Sequence, residues 1–300
     1  MKNKSFIIED LKKVKLYDKS NLNLVQNYTR NGKVSVLQDK KNKFIFLDKI
    51  LTNKNNYYEK KYHAIYSNTE SWQGNLYGKK IKTPKIDENQ KRLKLLKKFI
   101  NKKKILDFGC GFGGFAKETL KVSDKTFGFD KSEICKKFIK EKIKNIKMLD
   151  DLKNYDDFFD TIILIQTLHY LPQQIDKLSF LRKKLRKKGK IIIEVPSSSD
   201  ILLSRFNLQE FKDFTFCIES LIWHNKVSLT KFLKKAGFKK IKIIPIQRYD
   251  LNNHMGWLIQ GKPGGHEFLK SFCNNKQKKF YENFLIKNEI TDTLLAIASK

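Results

Sequence analysis

The stretch Lys104-Ile-Leu-Asp-Phe-Gly-Cys-Gly-Phe-Gly-Gly114 decides how this 300-residue chain is read. An apolar run reaches a carboxylate and then breaks into a loop with glycines at 109, 111 and 113. Glycine lets backbone approach a ligand closely, and Phe115 to Leu120 can open a helix whose N-terminal amides face that ligand. The spacing of Gly109, Gly111 and Gly114 also satisfies G-x-G-x-x-G, so the glycines alone do not name what the loop holds.

Asp107 narrows the choice. A carboxylate two residues before the first glycine sits at the mouth of the loop, where it would repel a diphosphate and attract an ammonium or sulfonium group. That favours S-adenosyl-L-methionine over a dinucleotide. Cys110, inside the loop, reads as a small neutral filler. A second strand should end in an acid about twenty residues on, to take ribose hydroxyls. Thr126-Phe-Gly-Phe-Asp130 supplies it. The expected cofactor contacts here are therefore Asp107, Gly109, Cys110, Gly111, Gly113 and Asp130.

Ser132 is placed to cap a helix through Lys142, with Ile134, Phe138 and Ile139 at helical spacing. A third strand, Ile146 to Leu149, ends at Asp150 and Asp151, which either accept from an adenine amino group or are solvated turn residues. The continuous apolar run Thr161 to Gln166 suits a buried parallel strand. Ligands of open parallel sheets bind beyond the carboxyl ends of strands. Gln166 is accordingly counted with the cofactor contacts, and His169 and Tyr170 fall near the reacting methyl. A helix from Ile175 to Leu185 and a fifth strand, Lys190 to Val195, stopped by Pro196, complete an alternation that predicts a doubly wound α/β sheet. Lys240 to Pro245 makes a sixth strand, and Ser228 is expected to cap a helix over 229–236 closed by Gly237.

The set ILDFGCG at 105–111, FGFD at 127–130, the run after the fourth strand and KGKIIIEVP at 188–196 resembles class I, Rossmann-like, S-adenosylmethionine-dependent methyltransferases. The resemblance implies a seven-stranded, mostly parallel sheet, with Gly256-Trp-Leu-Ile-Gln260 as the antiparallel seventh strand. Gln247-Arg-Tyr-Asp-Leu-Asn-Asn-His-Met-Gly-Trp257, Gly261-Lys-Pro-Gly-Gly-His266 and Thr291-Asp-Thr-Leu-Leu-Ala296 are similar to a bacterial group found among polysaccharide and nucleotide-sugar biosynthesis enzymes. That group often shows His-x-x-Glu-His after the fourth strand. This chain has Gln166, His169 and Tyr170 at those places, so the glutamate is missing, and Ser220 stands where a histidine is expected before Leu221.

The segment after the sixth strand carries the acceptor-site candidates. Arg248 could fork to a phosphate or carboxylate, with Tyr249 and Asn253 beside it. His254 either takes the proton of an acceptor hydroxyl or hydrogen-bonds its own loop, and His266 either reaches over the pocket or caps the sheet edge. His169 and His254 are the two candidate bases. His63 and His224 have no partner pattern and read as packing residues.

Composition bounds the alternatives. The net charge of +32 invites a nucleic-acid partner, but only six arginines stand among 63 basic residues, and the lysines are dispersed over predicted helix faces. A nucleic-acid surface is therefore disfavoured, while the charge can recruit an anionic small molecule such as a nucleotide sugar. The four cysteines lie far apart with no C-x-x-C pair, which predicts neither disulfide framework nor metal site and suits a reducing cytoplasm. No stretch has the length of a membrane span or the apolar core of a signal peptide. Residues 1–86 read as an accessory or lid region. They hold a hairpin from Lys33–Leu37 and Lys43–Leu47, and aromatics at Tyr57, Tyr58, Tyr62, Tyr66, Trp72 and Tyr77 that either stack on a ligand or pack as a cap. Residues 87–300 read as the methyltransferase domain, with an acceptor-site extension from about 197. The function expected is methyl transfer to a sugar, nucleotide sugar or related precursor. An RNA acceptor, or a non-catalytic binding member of the fold, is the alternative.

Overall fold

A computed structural model describes residues 6–50 and 88–300. The aromatic-rich stretch 57–77, with His63, lies outside the described residues, as does the side chain of His266.

The N-terminal part begins with α1 (Phe6–Lys13), followed by β1 (Leu22–Gln26), β2 (Val36–Asp39) and β3 (Ile45–Leu47). Then come α2 (Glu88–Ile100), β4 (Lys104–Phe108), α3 (Gly114–Thr119), β5 (Lys125–Phe129), α4 (Glu133–Lys142), β6 (Ile146–Met148) and β7 (Phe159–Ile165). A 3-10 turn at Leu168–Tyr170 leads to α5 (Gln174–Lys184) and β8 (Leu185–Pro196). The remainder is α6 (Ile201–Ser204), α7 (Gln209–Thr215), β9 (Ile222–Trp223), α8 (Lys226–Lys235), β10 (Lys239–Ile246), α9 (Leu251–Gln260), α10 (Gly265–Phe268), α11 (Asn275–Lys287) and β11 (Thr293–Ser299).

Seven strands form the main sheet in the order β10-β11-β8-β7-β4-β5-β6. From β8 to β6 all neighbours run parallel, and β11 pairs antiparallel with both β8 and β10. Alternate residues of the central strands feed opposite faces, and both are apolar, as a sheet covered on two sides requires. Leu106, Ile162, Leu164, Ile191 and Ile193 pack with Leu178 and Leu181 of α5, Phe232 of α8 and Leu11 of α1. Ile105, Ile163, Ile192 and Leu295 face Leu96 and Ile100 of α2. Strand order reverses between β4 and β7, and ligands of such sheets sit at the carboxyl edge beside that reversal.

The seventh strand is where the sequence reading fails. Gly256 to Gln260 lie in α9, and β11 at 293–299 fills the antiparallel place. Asp250 caps α9 by accepting from the Asn253 amide, and Gly261 ends it at φ 62°. Gly256 serves close helix packing, since a Cβ there would lie 2.5 Å from Gly265 Cα. The cap of α8 also differs: Asn225 is the N-cap, and Ser228 returns its bond from the third helical position. Ser132 does cap α4, accepting from the Cys135 amide.

The expected hairpin forms, with Leu37 opposite Phe46, but it belongs to a four-stranded antiparallel sheet β1-β2-β3-β9. Its last strand comes from Ile222 and Trp223, which pair with Phe46 and Ile45. The N-terminal sheet is thus stitched to the segment that follows β8.

Candidate functional site

The donor end is built by β4 and β5, whose parallel register sets Asp107 opposite Gly128. Gly109, Gly111 and Gly113 adopt φ of 79°, 53° and 77°, a region that penalises any side chain. At Gly109 a Cβ would also lie 2.4 Å from Thr167 Cγ2. The Gly109 amide donates to the Phe129 carbonyl at 2.7 Å, and the Gly111 amide donates to Asp130 Oδ2 at 2.8 Å. Asp130 Oδ1 accepts from the Ser132 amide at 2.9 Å, so this one acid joins the glycine loop to the start of α4.

Asp107 is 2% exposed. Burial, reinforced by the Asp130 charge, raises its pKa to about 7 against the lowering pull of the Ala116 amide and Arg92. A carboxyl in that condition gains from a fixed positive charge set beside it. A sulfonium fits that demand and a diphosphate does not. The Cys110 thiol is held neutral by burial first and by Asp107 and Asp130 next, in keeping with a filler. Asp150 and Asp151 are exposed after β6: Asp150 lies 3.6 Å from Lys136, and Asp151 accepts from the Lys153 amide in a local turn.

The candidate acceptor end is a cleft of about 180 Å³ beyond the carboxyl ends of β7 and β8. Gln166, His169 and Tyr170 line it from the segment after β7, and Ser197 and Asp200 from the segment after β8. Phe211, Phe214, Trp223 and Trp257 supply apolar walls, and Arg248, Tyr249, Asn253, His254 and Asp292 close the far side. Five residues that the sequence singled out separately as catalytic or acceptor candidates therefore meet in one cavity.

Their chemistry is not what their positions alone suggested. His169 is buried, its Nδ1 has no partner among the described residues, and burial followed by the charges of His224 and Arg248 lowers its pKa to about 3. His254 lies on α9 rather than in a loop; its Nδ1 meets the Tyr281 hydroxyl at 2.9 Å and its Nε2 faces Gln247 Nε2 at 3.3 Å. Burial keeps it neutral, with a pKa of about 4. Arg248 donates to Glu88 at 2.8 Å, while its Nε is buried with no partner among the described residues. His224 bridges Ser228 and Gln174 at 3.0 and 2.9 Å, as a packing histidine does. Among the described residues no group of three or more His, Cys, Asp or Glu side chains is arranged to hold a metal, and no helix is long and apolar enough to cross a membrane.

A polar bridge between the two ends escaped the sequence reading. Arg92 of α2 grips Glu194 of β8 through two bonds of 2.8 and 2.7 Å and also reaches Glu88 at 3.0 Å. Glu88 in turn receives Arg248, and Gln166 Nε2 donates to Glu194 at 3.1 Å. Burial pushes the Glu194 pKa up, but Arg92, with Arg248 and Gln166, holds it below the ordinary value. A charge inside the apolar run Lys190 to Val195 was the available signal, because a buried carboxylate needs a partner. Asp292 was equally hidden; it accepts from Gln247 Nε2 and from the Arg248 and Tyr249 amides.

A family model described as a methyltransferase domain matches residues 83–243. The chain is 29% identical over 206 residues to a protein of Nautilia profundicola named tRNA U34 carboxymethyltransferase, covering 63% of this chain and 65% of that one. It is 28% identical over 171 residues to a protein of the same name from Campylobacter fetus, covering 52% and 59%. The chain thus spans less than two thirds of the length of these two relatives. In fold it is similar to Haemonchus contortus phosphoethanolamine N-methyltransferase 2, solved with S-adenosyl-L-methionine, at a TM-score of 0.51 and 14% identity over 89% of this chain and 63% of that one. With a match over more than half its length and a glycine cradle at the switch point of a seven-stranded sheet, the chain belongs to the methyltransferase-domain family.

Proposed function

We propose that the protein transfers a methyl group to a hydroxyl of a small polar acceptor, a sugar or nucleotide sugar, seated in the cleft beyond β7 and β8. The observation that carries this reading is the cleft's lining: aromatic walls surround buried polar atoms, among them His169 Nδ1 and Arg248 Nε, that have no partner among the described residues. Flat apolar faces with a few converging polar groups suit a ring that carries hydroxyls. The donor supplies a methyl group on a sulfonium, already a good leaving group. The protein's main work is then to align the acceptor at near-attack distance.

In this reading Asp107 faces the sulfonium, and Asp130, fixed by two amides, accepts from the ribose hydroxyls. The loop of Gly109, Cys110, Gly111 and Gly113 gives the donor room, with Gln166 beside it. His169 stays neutral and offers Nδ1 as a hydrogen-bonding atom to the acceptor. Tyr249 and Asn253 border the acceptor, and Arg248, anchored by Glu88, adds positive charge for an anionic one. The extension from about residue 197 and the small N-terminal sheet together shape the acceptor side.

A second reading, an RNA base turned into the same cleft, is supported by the name of the Nautilia and Campylobacter relatives and by the net charge of +32. Two acceptor fractions distinguish the readings: a purified nucleotide-sugar pool and total RNA, each incubated with methyl-tritiated donor. The sugar reading expects label in the first. Label confined to RNA, with an affinity that falls steeply as salt rises, would overturn it and establish the second.

A further inference from the structure

We infer that Asp200 receives the acceptor's proton during methyl transfer. The inference rests on the hydroxyl-acceptor reading above and on the geometry of the cleft. Asp200 ends the polar loop after β8, is 5% exposed and lines the cavity. Its Oδ1 accepts from the Leu202 amide at 2.8 Å and caps α6, while Oδ2 has no protein donor among the described residues.

The other titratable groups around it are engaged or unsuited. Asp292, before β11, is filled by Gln247 and two backbone amides. His254 on α9 is tied to Tyr281 of α11, and Arg248 at the end of β10 is tied to Glu88. His169 keeps a free nitrogen on the same cavity, yet with a pKa of about 3 it is a poor base at neutral pH. Burial, followed by the Asp292 charge, places Asp200 at about 8, far more basic than an ordinary aspartate and close to the pH at which a proton acceptor works best.

The step balances as follows. The acceptor O–H bond gives its proton to Asp200 Oδ2 while the acceptor oxygen bonds the methyl carbon. The carbon–sulfur bond breaks with its electron pair left on sulfur. One positive and one negative charge vanish together, leaving a methyl ether, a neutral thioether and a protonated Asp200.

Two measurements on the full chain test this. First, carbodiimide coupling of glycine ethyl ester at neutral pH, mapped by peptide mass, should modify Asp200, since its carboxyl faces the cleft. An Asp200 that stays uncoupled overturns the proposal. Second, Asp200→Asn keeps the helix cap, because the amide oxygen still accepts from Leu202, but cannot hold the proton. On the purified nucleotide-sugar pool its turnover should fall at least about a hundredfold. Donor affinity by calorimetry should be unchanged, and the rise of rate toward pH 8 should disappear. Turnover of the same order as the wild type, or an unaltered pH profile, overturns it. If that pool takes no label the sugar reading fails, and the coupling result still decides whether Asp200 presents an open carboxyl.

Discussion

The two ends of this site are built on different scales of the chain. At the donor end most polar contacts join segments close along the chain: Asp130 takes the amides of Ser132 and of Gly111, 19 residues away, and Asp107 is stabilised by the amide of Ala116. At the acceptor end the partners are remote, as when Arg248 reaches Glu88, 160 residues away, or Asp292 holds the turn at 247–249. A locally closed cradle keeps one ligand through large changes elsewhere. A cleft assembled from distant segments can be reshaped by altering any of them, which lets one donor serve different acceptors.

The sharpest way to break that division is to cut the bridge that spans it. Arg92→Met leaves Glu194 buried, where its side chain is only 5% exposed, with its main counter-charge gone. The expected loss is about 3–5 kcal/mol of unfolding free energy in urea titrations, with part recovered by the double variant Arg92→Met/Glu194→Gln. A cost well below that range would mean the two ends are held together by packing alone.

A smaller effect, confined to the donor end, follows from Asp130→Asn. One carboxylate oxygen is lost from a site that organises Gly111 and, in our reading, the ribose. Donor affinity by calorimetry should weaken by about 1.5–3 kcal/mol, roughly ten- to hundredfold, with thermal stability nearly intact. Unchanged affinity would remove Asp130 from the donor site.

The smallest effect is a pH dependence that separates the ends electrostatically. Asp107 has a pKa of about 7, so on the acid side it must lose a proton before it can face a cation. Donor binding should strengthen as pH rises toward 7 by up to about 1.4 kcal/mol per unit, level off above, and become flat in Asp107→Asn. Folding without donor runs the other way. The folded pKa lies above the ordinary 3.8, so this group's contribution is present below that value and is lost as pH rises through about 7. A donor affinity that ignores pH would show that Asp107 meets no positive charge.

The central parallel strands of the main sheet were legible because a covered strand must be apolar over its whole length, and runs such as Thr161 to Gln166 have few other uses. The glycine loop was legible because φ near 79° at Gly109 admits no other residue without strain. The segment 256–260 misled because Trp, Leu and Ile suit a strand and a buried helix alike; the cap at Asp250 and the stop at Gly261 were the overlooked cues. His169 and His254 were singled out as candidate bases by position, while burial lowers the proton affinity of both, which no spacing rule reports.

By itself, then, the order of residues determined the doubly wound sheet, the cradle and the acid at its mouth, all products of short-range sterics and of apolar period. Only the tertiary structure decided which charges neutralise one another, which histidines stay uncharged, and that one oxygen of Asp200 has no protein donor among the described residues. Those outcomes depend on desolvation and on partners far apart along the chain, and both exist only once the chain has folded.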